Sequence, residues 1–557
     1  MTTGHSFFGA YRVILLAAIL TGSLAGSLFG QAPDPLKWNV DKSLFPKAYG
    51  LLANEHLLYP VDQSNWPVKI DRRRQLFLDD YLIASRENVR RKVNSARKHP
   101  ANPLIDRQKP WEGRGPVFHR VMRDAKTGKF RMWYSTYHDL QLPSGTVVRC
   151  PTCYATSDDG ITWKKPELGL CEYNGSKANN IVILKGSMYG LMYEPDAPNP
   201  DRRYKAVVWH DWRVPQGTAP PEGYYLYTSP NGIDWTQASE RPIALNQNAR
   251  QPGIGDTSLF FRDDRLGRYV CYTKILFRDP TMRTSGMMES DDLLHWSRPR
   301  MTLYPDTLDD LDTQIYEHYS FYYESLWIGL MRVMHTELVD KSRKQTVVEL
   351  TASRDGRHFT RVGNRERVIP LGGMHEWDPH YHAPTSHPIL VGDEIWIYYF
   401  SMPLLDGNKV GKEKADAAQI SRIGLAMLRR DGFVSLDAQD KPGQMITRPL
   451  TFNGTQLNVN AKIAEGGYLK VGLRDATGRP VAHYQLADCN PVQGDVTSAC
   501  VTWRNRDQVH RPGTRSTGPQ SPGERNSPRD SRGGSRLLLA GVLSRQPATV
   551  AATCVEL

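Results

Sequence analysis

The sequence predicts an all-β protein, a five-bladed β-propeller followed by a small β-sandwich module, and three observations carry that prediction. One turn motif recurs as Thr156-Ser-Asp-Asp-Gly-Ile-Thr-Trp163, Thr228-Ser-Pro-Asn-Gly-Ile-Asp-Trp235, Glu289-Ser-Asp-Asp-Leu-Leu-His-Trp296 and Ala352-Ser-Arg-Asp-Gly-Arg-His-Phe359, with a decayed fifth copy at Leu428-Arg-Arg-Asp-Gly-Phe433. The aromatic ends of the four clear copies lie 72, 61 and 63 residues apart, a period expected of an array built from one supersecondary unit. Each copy follows a strand-like run, and two more strand patterns lie upstream, such as Gly115-Pro-Val-Phe-His-Arg-Val121 and Phe130-Arg-Met-Trp-Tyr-Ser-Thr136. Three strands, an Asp-Gly turn and a fourth strand make a four-stranded antiparallel blade. Finally, 45 Gly and 38 Pro punctuate a chain whose 13 Trp and 26 Tyr fall in short runs, which favours many short strands over helices. A sandwich array would not repeat one turn motif at this period.

Taken in order, residues 1–32 read as a secretory signal peptide. Arg12 precedes an apolar run from Val13 to Leu20 and a small-residue exit ending at Ala25, and that run is shorter than the roughly 20 residues a membrane span needs. The expectation is an exported protein, secreted or periplasmic, with no membrane attachment after cleavage. Residues 33–109 form an N-terminal extension packing on the propeller, and residues 110–436 hold the blades. Residues 437–503 alternate in Leu457-Asn-Val-Asn460 and Tyr468-Leu-Lys-Val-Gly-Leu473, as a sandwich-like module does. Residues 504–557 turn abruptly to Arg, Pro, Gly and Ser without lysine and read as a disordered or frameshifted tail.

Export permits disulfides. One is expected among Cys150, Cys153 and Cys171, and another between Cys489 and Cys500. No second cysteine pair at metal spacing accompanies Cys150-x-x-Cys153, so zinc is not expected. The formal charge of +12 is concentrated at residues 504–536, where eight Arg face Asp507, Glu524 and Asp530. The rest intersperses both signs, which excludes a nucleic-acid binder. Phosphate loops, nucleophile elbows and His-Glu-x-x-His motifs are absent, which leaves nucleotide hydrolases, serine hydrolases and zincins without support.

On the box-like turns, the Leu76-Phe-Leu-Asp-Asp-Tyr81 segment and the trailing β-module, the chain resembles the five-bladed propeller glycoside hydrolases, the superfamily of families 32, 43 and 68. It is similar in particular to exported bacterial proteins related to the N-terminal domain of family 32, over about residues 70–503. The resemblance implies a glycosidase acting on an oligo- or polysaccharide. The turns are a structural signature, shared with propeller sialidases, and lie away from catalysis. The chain departs from family 32 in lacking the Trp-Met-Asn-Asp-Pro-Asn-Gly motif and the Glu-Cys pair. Phe277-Arg-Asp-Pro280 matches that family's Arg-Asp-Pro motif in letters but follows the second strand of a blade. Substrate and stereochemistry are therefore not carried over.

Propeller geometry gives a second route to the site, because the first residues of the innermost strands ring one channel mouth. Those positions are Glu112, Asn180, Asp256, Asp312 and Asp378, and the four carboxylates are the candidate catalytic groups. Glycoside hydrolysis needs one protonated acid and one base or nucleophile, and crowded carboxylates raise one another's pKa. The plainer reading of each is a strand cap or turn acceptor. Candidate substrate-binding residues are Trp111, Arg114, His138, Asp211, Trp212, Arg332, Glu376, Trp377, His380 and His382. The tryptophans would stack on sugar faces, and Arg114 and Arg332 would recognise a carboxylate or sulfate. The string His375-Glu-Trp-Asp-Pro-His-Tyr-His382 would place His380 and His382 on one side of an extended strand, a place for a divalent cation or for hydrogen bonds to sugar hydroxyls. No cofactor is otherwise expected, and a monomer is. The alternatives are a carbohydrate-binding propeller without catalysis and a purely structural one.

Overall fold

The computed structural model describes residues 67–141, 147–210, 212–213, 222–245, 254–278, 281–310, 312–335, 345–373, 375–402, 420–438, 441–475, 477–504, 506–509, 536–543 and 548–551. The signal peptide expected at 1–32 lies outside them. Between residues 116 and 429 the described strands form antiparallel meanders in chain order, the units of a propeller-type fold. The first sheet is Pro116–Arg123, Phe130–Thr136, Thr152–Ser157 and Ile181–Ile183. The second is Ser187–Tyr193, Tyr204–His210, Gly223–Ser229 and Thr236–Gln237. The third is Leu259–Asp263, Arg268–Arg278, Thr281–Ser290 and Arg300–Leu303. The fourth is Thr313–Tyr323, Leu326–His335, Gln345–Ser353 and Thr360–Arg361. In the fifth, His382–Ala383 and Ile389–Val391 both pair with Glu394–Ser401, which pairs with Arg422–Arg429. The outermost strand of that sheet comes from the other end of the chain, since Arg97–Lys98 pairs with Met427 and Ala426.

The recurring motif builds one turn four times. In the first copy Ser157 Oγ accepts from Gly160 N at 2.8 Å, while Asp159 Oδ1 accepts from Ile161 N at 2.8 Å and Thr162 N at 2.7 Å. Asn231, Asp292 and Asp355 take the same two backbone donors in the later copies. A short side chain that caps its own turn explains why Asp or Asn recurs there. These turns lead out of the third strands and serve folding, not chemistry.

Between sheets, the core is aliphatic and aromatic, with Leu330, Met331, Val348, Leu350 and Ile397 almost wholly buried. The innermost strands of the second and third sheets touch at Gly190, opposite Phe260. A Cβ on Gly190 would lie 2.6 Å from Phe260 Cβ and 2.9 Å from its carbonyl oxygen. Gly190→Ala is therefore expected to cost about 1–3 kcal/mol, as overpacking does. The readout is a lowered urea midpoint; an unchanged midpoint would show that the two sheets separate freely.

Two further sheets enclose a second core around Phe77, Val459, Leu473, Tyr484 and Trp503. The module is wider than 437–503, because it recruits Val68–Lys69, Ile83–Glu87 and Val89–Val93 from the N-terminal extension and Val434–Ala438 from the expected propeller. The C-terminal reading also changes. Arg536–Leu543 and Ala548–Ala551, placed by composition in a disordered or frameshifted tail, are strands within these sheets. Arg536–Leu543 pairs with Gly443–Thr447, Leu450–Thr451 and Leu469–Asp475, and Ala548–Ala551 pairs with Val434–Ala438 and Asn458–Ile463. Composition hid them because the Arg- and Pro-rich stretch precedes a short apolar run, Leu537 to Val542. Neither a disulfide among Cys150, Cys153 and Cys171 nor one between Cys489 and Cys500 is formed. Among the described residues, no helix is long and apolar enough to cross a membrane.

Candidate functional site

On the face where the innermost strands begin, the sheets enclose a cavity of about 230 Å³. Each of the first five sheets contributes to its wall, through Phe118 and Tyr137, Tyr189 and Trp209, Asp256 and Arg283, Tyr316, and Tyr381 with Phe400. The aromatic wall has a common local cause. Three innermost strands carry a bulge, with register shifts between Val117 and Arg120, between Met188 and Gly190, and between Ile315 and Glu317. A bulge adds a residue that the ladder cannot pair and re-aims its side chain. Phe118, Tyr189 and Tyr316 sit at those bulges, and all three face the cavity.

The fourth-sheet bulge also sets the charge of a buried layer, the floor, that lies behind the cavity wall at Tyr316. Glu317 pairs in register with Arg332, leaving Tyr316 as the extra residue. Arg332 then meets both neighbours: its Nη2 lies 3.0 Å from Glu317 Oε2, and its Cζ lies 4.5 Å from the centroid of the Tyr316 ring. Two more cations approach the same ring, Lys274 Nζ at 4.4 Å and Arg283 Cζ at 5.8 Å. Lys274 donates to Asp256. Beneath them Arg120 donates to the carbonyls of His119 and Tyr189, at 2.7 and 2.5 Å. Burial lowers Arg120 to about 10, which keeps it charged at neutral pH.

The two carboxylates of this floor are pushed in opposite directions. Burial raises the Glu317 pKa, and that effect outweighs the attraction of Arg332, Arg120 and Lys274. At Asp256 burial acts the same way, but Lys274 in direct contact, with Arg283 nearby, holds the group below the ordinary carboxylate value. Asp256 also keeps 47% of its side chain exposed, whereas Glu317 keeps 2%. Neither carboxylate oxygen of Glu317 has a hydrogen-bond partner among the described residues.

Of the sequence-selected residues, Asp256 lines the cavity and Arg332 packs behind its wall, against the rings of Tyr316 and Tyr381. The other three carboxylates stand elsewhere, so Asp256, Asp312 and Asp378 do not converge. Glu112, at the end of the short turn Pro110–Glu112, accepts from Gln108 N at 2.7 Å, Lys109 N at 2.8 Å, Lys165 Nζ at 2.6 Å and Tyr134 Oη at 2.7 Å. Four donors leave it a structural anchor. Asp378 is likewise buried, 2.8 Å from Lys98 Nζ and 3.3 Å from His382 Nε2, and accepts from Tyr399 Oη at 2.7 Å. Asp312 pairs with His335 at 3.3 Å, outside the cavity lining.

Trp111 donates to Asn180 Oδ1 at 2.8 Å and meets Tyr173 edge-on, so its ring belongs to the Glu112 network. Arg114 stacks 4.1 Å from the Tyr137 ring, behind the wall. His138 is half-buried beside Tyr173, and its pKa is lowered by that burial. Asp211 lies outside the described residues, as does the side chain of Trp212, whose backbone pairs with Val148. Trp377 stacks on Tyr399 at 5.4 Å in the core, and Glu376 is an exposed turn residue accepting from Gly373 N. Residues 375–380 run largely as turns and bends, not as an extended strand, so the expected alternation fails: His382 folds back onto the Asp378 carbonyl at 3.0 Å, and Tyr381, bridged to Thr346, is the residue of the segment that reaches the cavity. The His380 carbonyl accepts from Thr346 N at 2.8 Å. Asp310, Asp312 and His335, by contrast, bring one ligand-type atom each within 4.8 Å of one another at the start of the fourth sheet. Arg278 ends the second strand of the third sheet, where the sequence reading put the Phe277-Arg-Asp-Pro280 string; Asp279 and Pro280 lie outside the described residues.

Sequence reasoning missed Glu317, Lys274, Arg283, Arg120 and Tyr316. A usable signal existed: Arg120, Lys274, Glu317 and Arg332 are charged residues inside strands that otherwise read as core, a costly placement unless a site requires it.

Asp378 supplies a test of the structural assignment. Burial raises its pKa, but contacts with His382, Lys98 and Tyr399 outweigh it and hold the group below 3.8. A carboxylate depressed in the folded state adds stability above its unfolded pKa and loses it as pH falls through the folded value. Asp378→Asn is thus expected to cost about 3 kcal/mol at pH 7, the scale of a broken buried pair, with the deficit shrinking as the pH approaches 3. Denaturant melts at both pH values measure this, and an equal deficit at both would refute the ionic role.

No protein-family model matches the sequence, and no curated protein does. Among solved structures, a glycosyl hydrolase from Bacteroides ovatus is 14% identical, with 61% of this chain and 94% of that chain covered at a TM-score of 0.40. A β-1,2-mannobiose phosphorylase from Listeria innocua, solved with β-1,2-mannobiose, is 12% identical, with 60% and 97% covered at a TM-score of 0.39. Zg3597, a family 117 glycoside hydrolase from Zobellia galactanivorans, is 15% identical, with 63% and 92% covered at a TM-score of 0.31. At such identities and overlaps, no residue role in this chain follows from these similarities.

Proposed function

We propose that the protein is an exported glycosidase that cleaves a glycosidic bond of an oligo- or polysaccharide in the cavity at the propeller mouth. Glu317 donates the proton to the leaving oxygen, and Asp256 acts on the opposite side as base or nucleophile. The observation that supports this reading is the opposed tuning of two neighbouring carboxylates, Asp256 in the cavity wall and Glu317 buried behind it next to Tyr316: Glu317 is pushed up by burial, Asp256 held down by Lys274 and Arg283. Groups whose surroundings drive their pKa values apart carry complementary acid and base roles. Aromatic faces at Phe118, Tyr189, Trp209, Tyr316 and Tyr381 suit the C–H surfaces of a sugar ring. Kinship with families 32, 43 and 68 is part of the proposal and draws on the box-like turns and the Leu76–Tyr81 segment.

Hydrolysis screening of the secreted full-length protein on neutral and acidic polysaccharides tests the reading. Release of reducing ends, lost in Asp256→Asn, supports it. The second reading, a carbohydrate-binding propeller without catalysis, draws on the same ion pairs, because Lys274 and Arg332 each hold one of the two carboxylates. Binding of a sugar without turnover under any condition would favour it.

A further inference from the structure

We propose that the cavity selects a sugar bearing an oxyanion, a carboxylate or a sulfate ester, which Arg332 and Arg283 receive beside the Tyr316 ring. The inference rests on the carbohydrate reading above and adds its substrate class.

The charges at the floor do not balance. Arg120, Lys274, Arg283 and Arg332 bring four cations to the surroundings of Tyr316 and Glu317, against the two carboxylates Asp256 and Glu317. Surplus positive charge away from bulk water is costly unless a counter-ion arrives. When Glu317 carries its proton, as burial favours, the surplus grows by one.

Arg332 is where an anion is wanting. It is 2% exposed, yet its Nε, Nη1 and Nη2 all lack a hydrogen-bond partner among the described residues. The 3.0 Å approach to Glu317 is an ion pair without hydrogen-bond alignment. The guanidinium lies 4.5 Å from the Tyr316 centroid and 5.0 Å from that of Tyr381, and both rings form the cavity wall. A planar fork of unmet donors between two wall rings matches a carboxylate or sulfate, which accepts two parallel hydrogen bonds. Arg283, itself part of the wall, supplies the second cation from the third sheet. Neutral hydroxyls would meet some of these donors but would leave the charge uncompensated.

The test is binding to the full-length protein by calorimetry, independent of turnover. The probes are methyl β-glucuronide against methyl β-glucoside, galactose 6-sulfate against galactose, and inorganic sulfate and phosphate alone. The expected result is that at least one acidic sugar binds about 10-fold or more tightly than its neutral partner, the scale of one charge-assisted hydrogen bond. Arg283→Gln should remove most of that preference, bringing the acidic and neutral partners to within about 2-fold of each other. Arg332→Gln should do the same. Because it strips Glu317 of its ion pair and risks the fold, the Arg283 variant stands as the independent check. Equal affinity for acidic and neutral partners, or a preference that survives Arg283→Gln, overturns the proposal. Inorganic sulfate or phosphate binding as tightly as the acidic sugar overturns the sugar assignment. Acidic sugars bound selectively but never cleaved would sink the glycosidase reading alone; neutral glycans cleaved through Asp256 would sink this inference alone.

Discussion

Asp256→Asn and Glu317→Gln are each expected to lower turnover by at least about 10²-fold, the usual contribution of a positioned acid or base, with folding preserved. Asp256 is half-exposed in the cavity wall, so its amide keeps the shape and removes only the charge that accepts a proton or attacks carbon. Glu317 is pushed toward its neutral form by burial. Glutamine keeps the shape of the side chain but leaves the buried Arg332 guanidinium, 3.0 Å away, without its ion-pair partner, so a stability cost of about 3 kcal/mol is expected. What glutamine cannot do is release a proton. The two variants should separate on a substrate with a good leaving group, such as a nitrophenyl glycoside. Glu317→Gln should recover most activity there, because little protonation is needed, whereas Asp256→Asn should stay inactive. Steady-state kinetics with a thermal melt of each variant gives the answer. Full activity in both on a confirmed substrate would remove the assignment.

The pH profile is the second large effect. The base must be ionised, so activity should fall on acidification through the Asp256 pKa, which lies below 3.8 because Lys274 and Arg283 outweigh burial. The acid must be protonated, so activity should also fall as pH rises through the Glu317 pKa, which lies above 4.5 because burial dominates. The bell of kcat/KM therefore opens between these two values, wider on both sides than two free carboxylates allow. Lys274→Met should move the acidic limb upward, since it removes the main cation holding Asp256 down while burial remains. An acidic limb that stays in place would show that Asp256 is not the group being titrated. Glu317→Gln should abolish the alkaline limb in whatever activity survives.

The repeat was legible in the sequence because each turn carries its own hydrogen-bonding residue: Asp159, Asn231, Asp292 and Asp355 act locally and need no distant partner. Continuous apolar and aromatic strands such as Glu394–Ser401 were legible because that signal too is local. The site was not, except for Asp256 and Arg332. Its geometry depends on bulges at Phe118, Tyr189 and Tyr316, each one residue out of register with the neighbouring strand. Counting from strand starts cannot find a bulge, and Glu317, just past the bulge at Tyr316, is not a strand-entry position. Glu112 and Asp378 were selected as catalytic candidates and are instead tied up by Tyr134 and Tyr399, with Lys165 and Lys98, partners from other elements that only folding brings near. The C-terminal strands escaped because pairing partners, not composition, decide whether a short apolar run joins a sheet.

The strand Arg97–Lys98 has a consequence for how the molecule is made. It closes a sheet whose other strands end at Arg429, across a separation of 330 residues between Arg97 and Met427. The entropy lost in bringing such distant segments together grows only logarithmically with loop length, so the clasp is not weak, but it forms late. A chain emerging from the ribosome holds its early strands for most of its synthesis before their partner exists. Until then Arg97–Lys98 is unpaired, and from its own synthesis until the two dock the edge of Arg422–Arg429 is an open template for a strand from another molecule. The interval between the synthesis of Lys98 and the docking of the final sheet is the period in which this protein most needs a chaperone, and its yield on refolding should fall with protein concentration more steeply than its thermal stability would suggest.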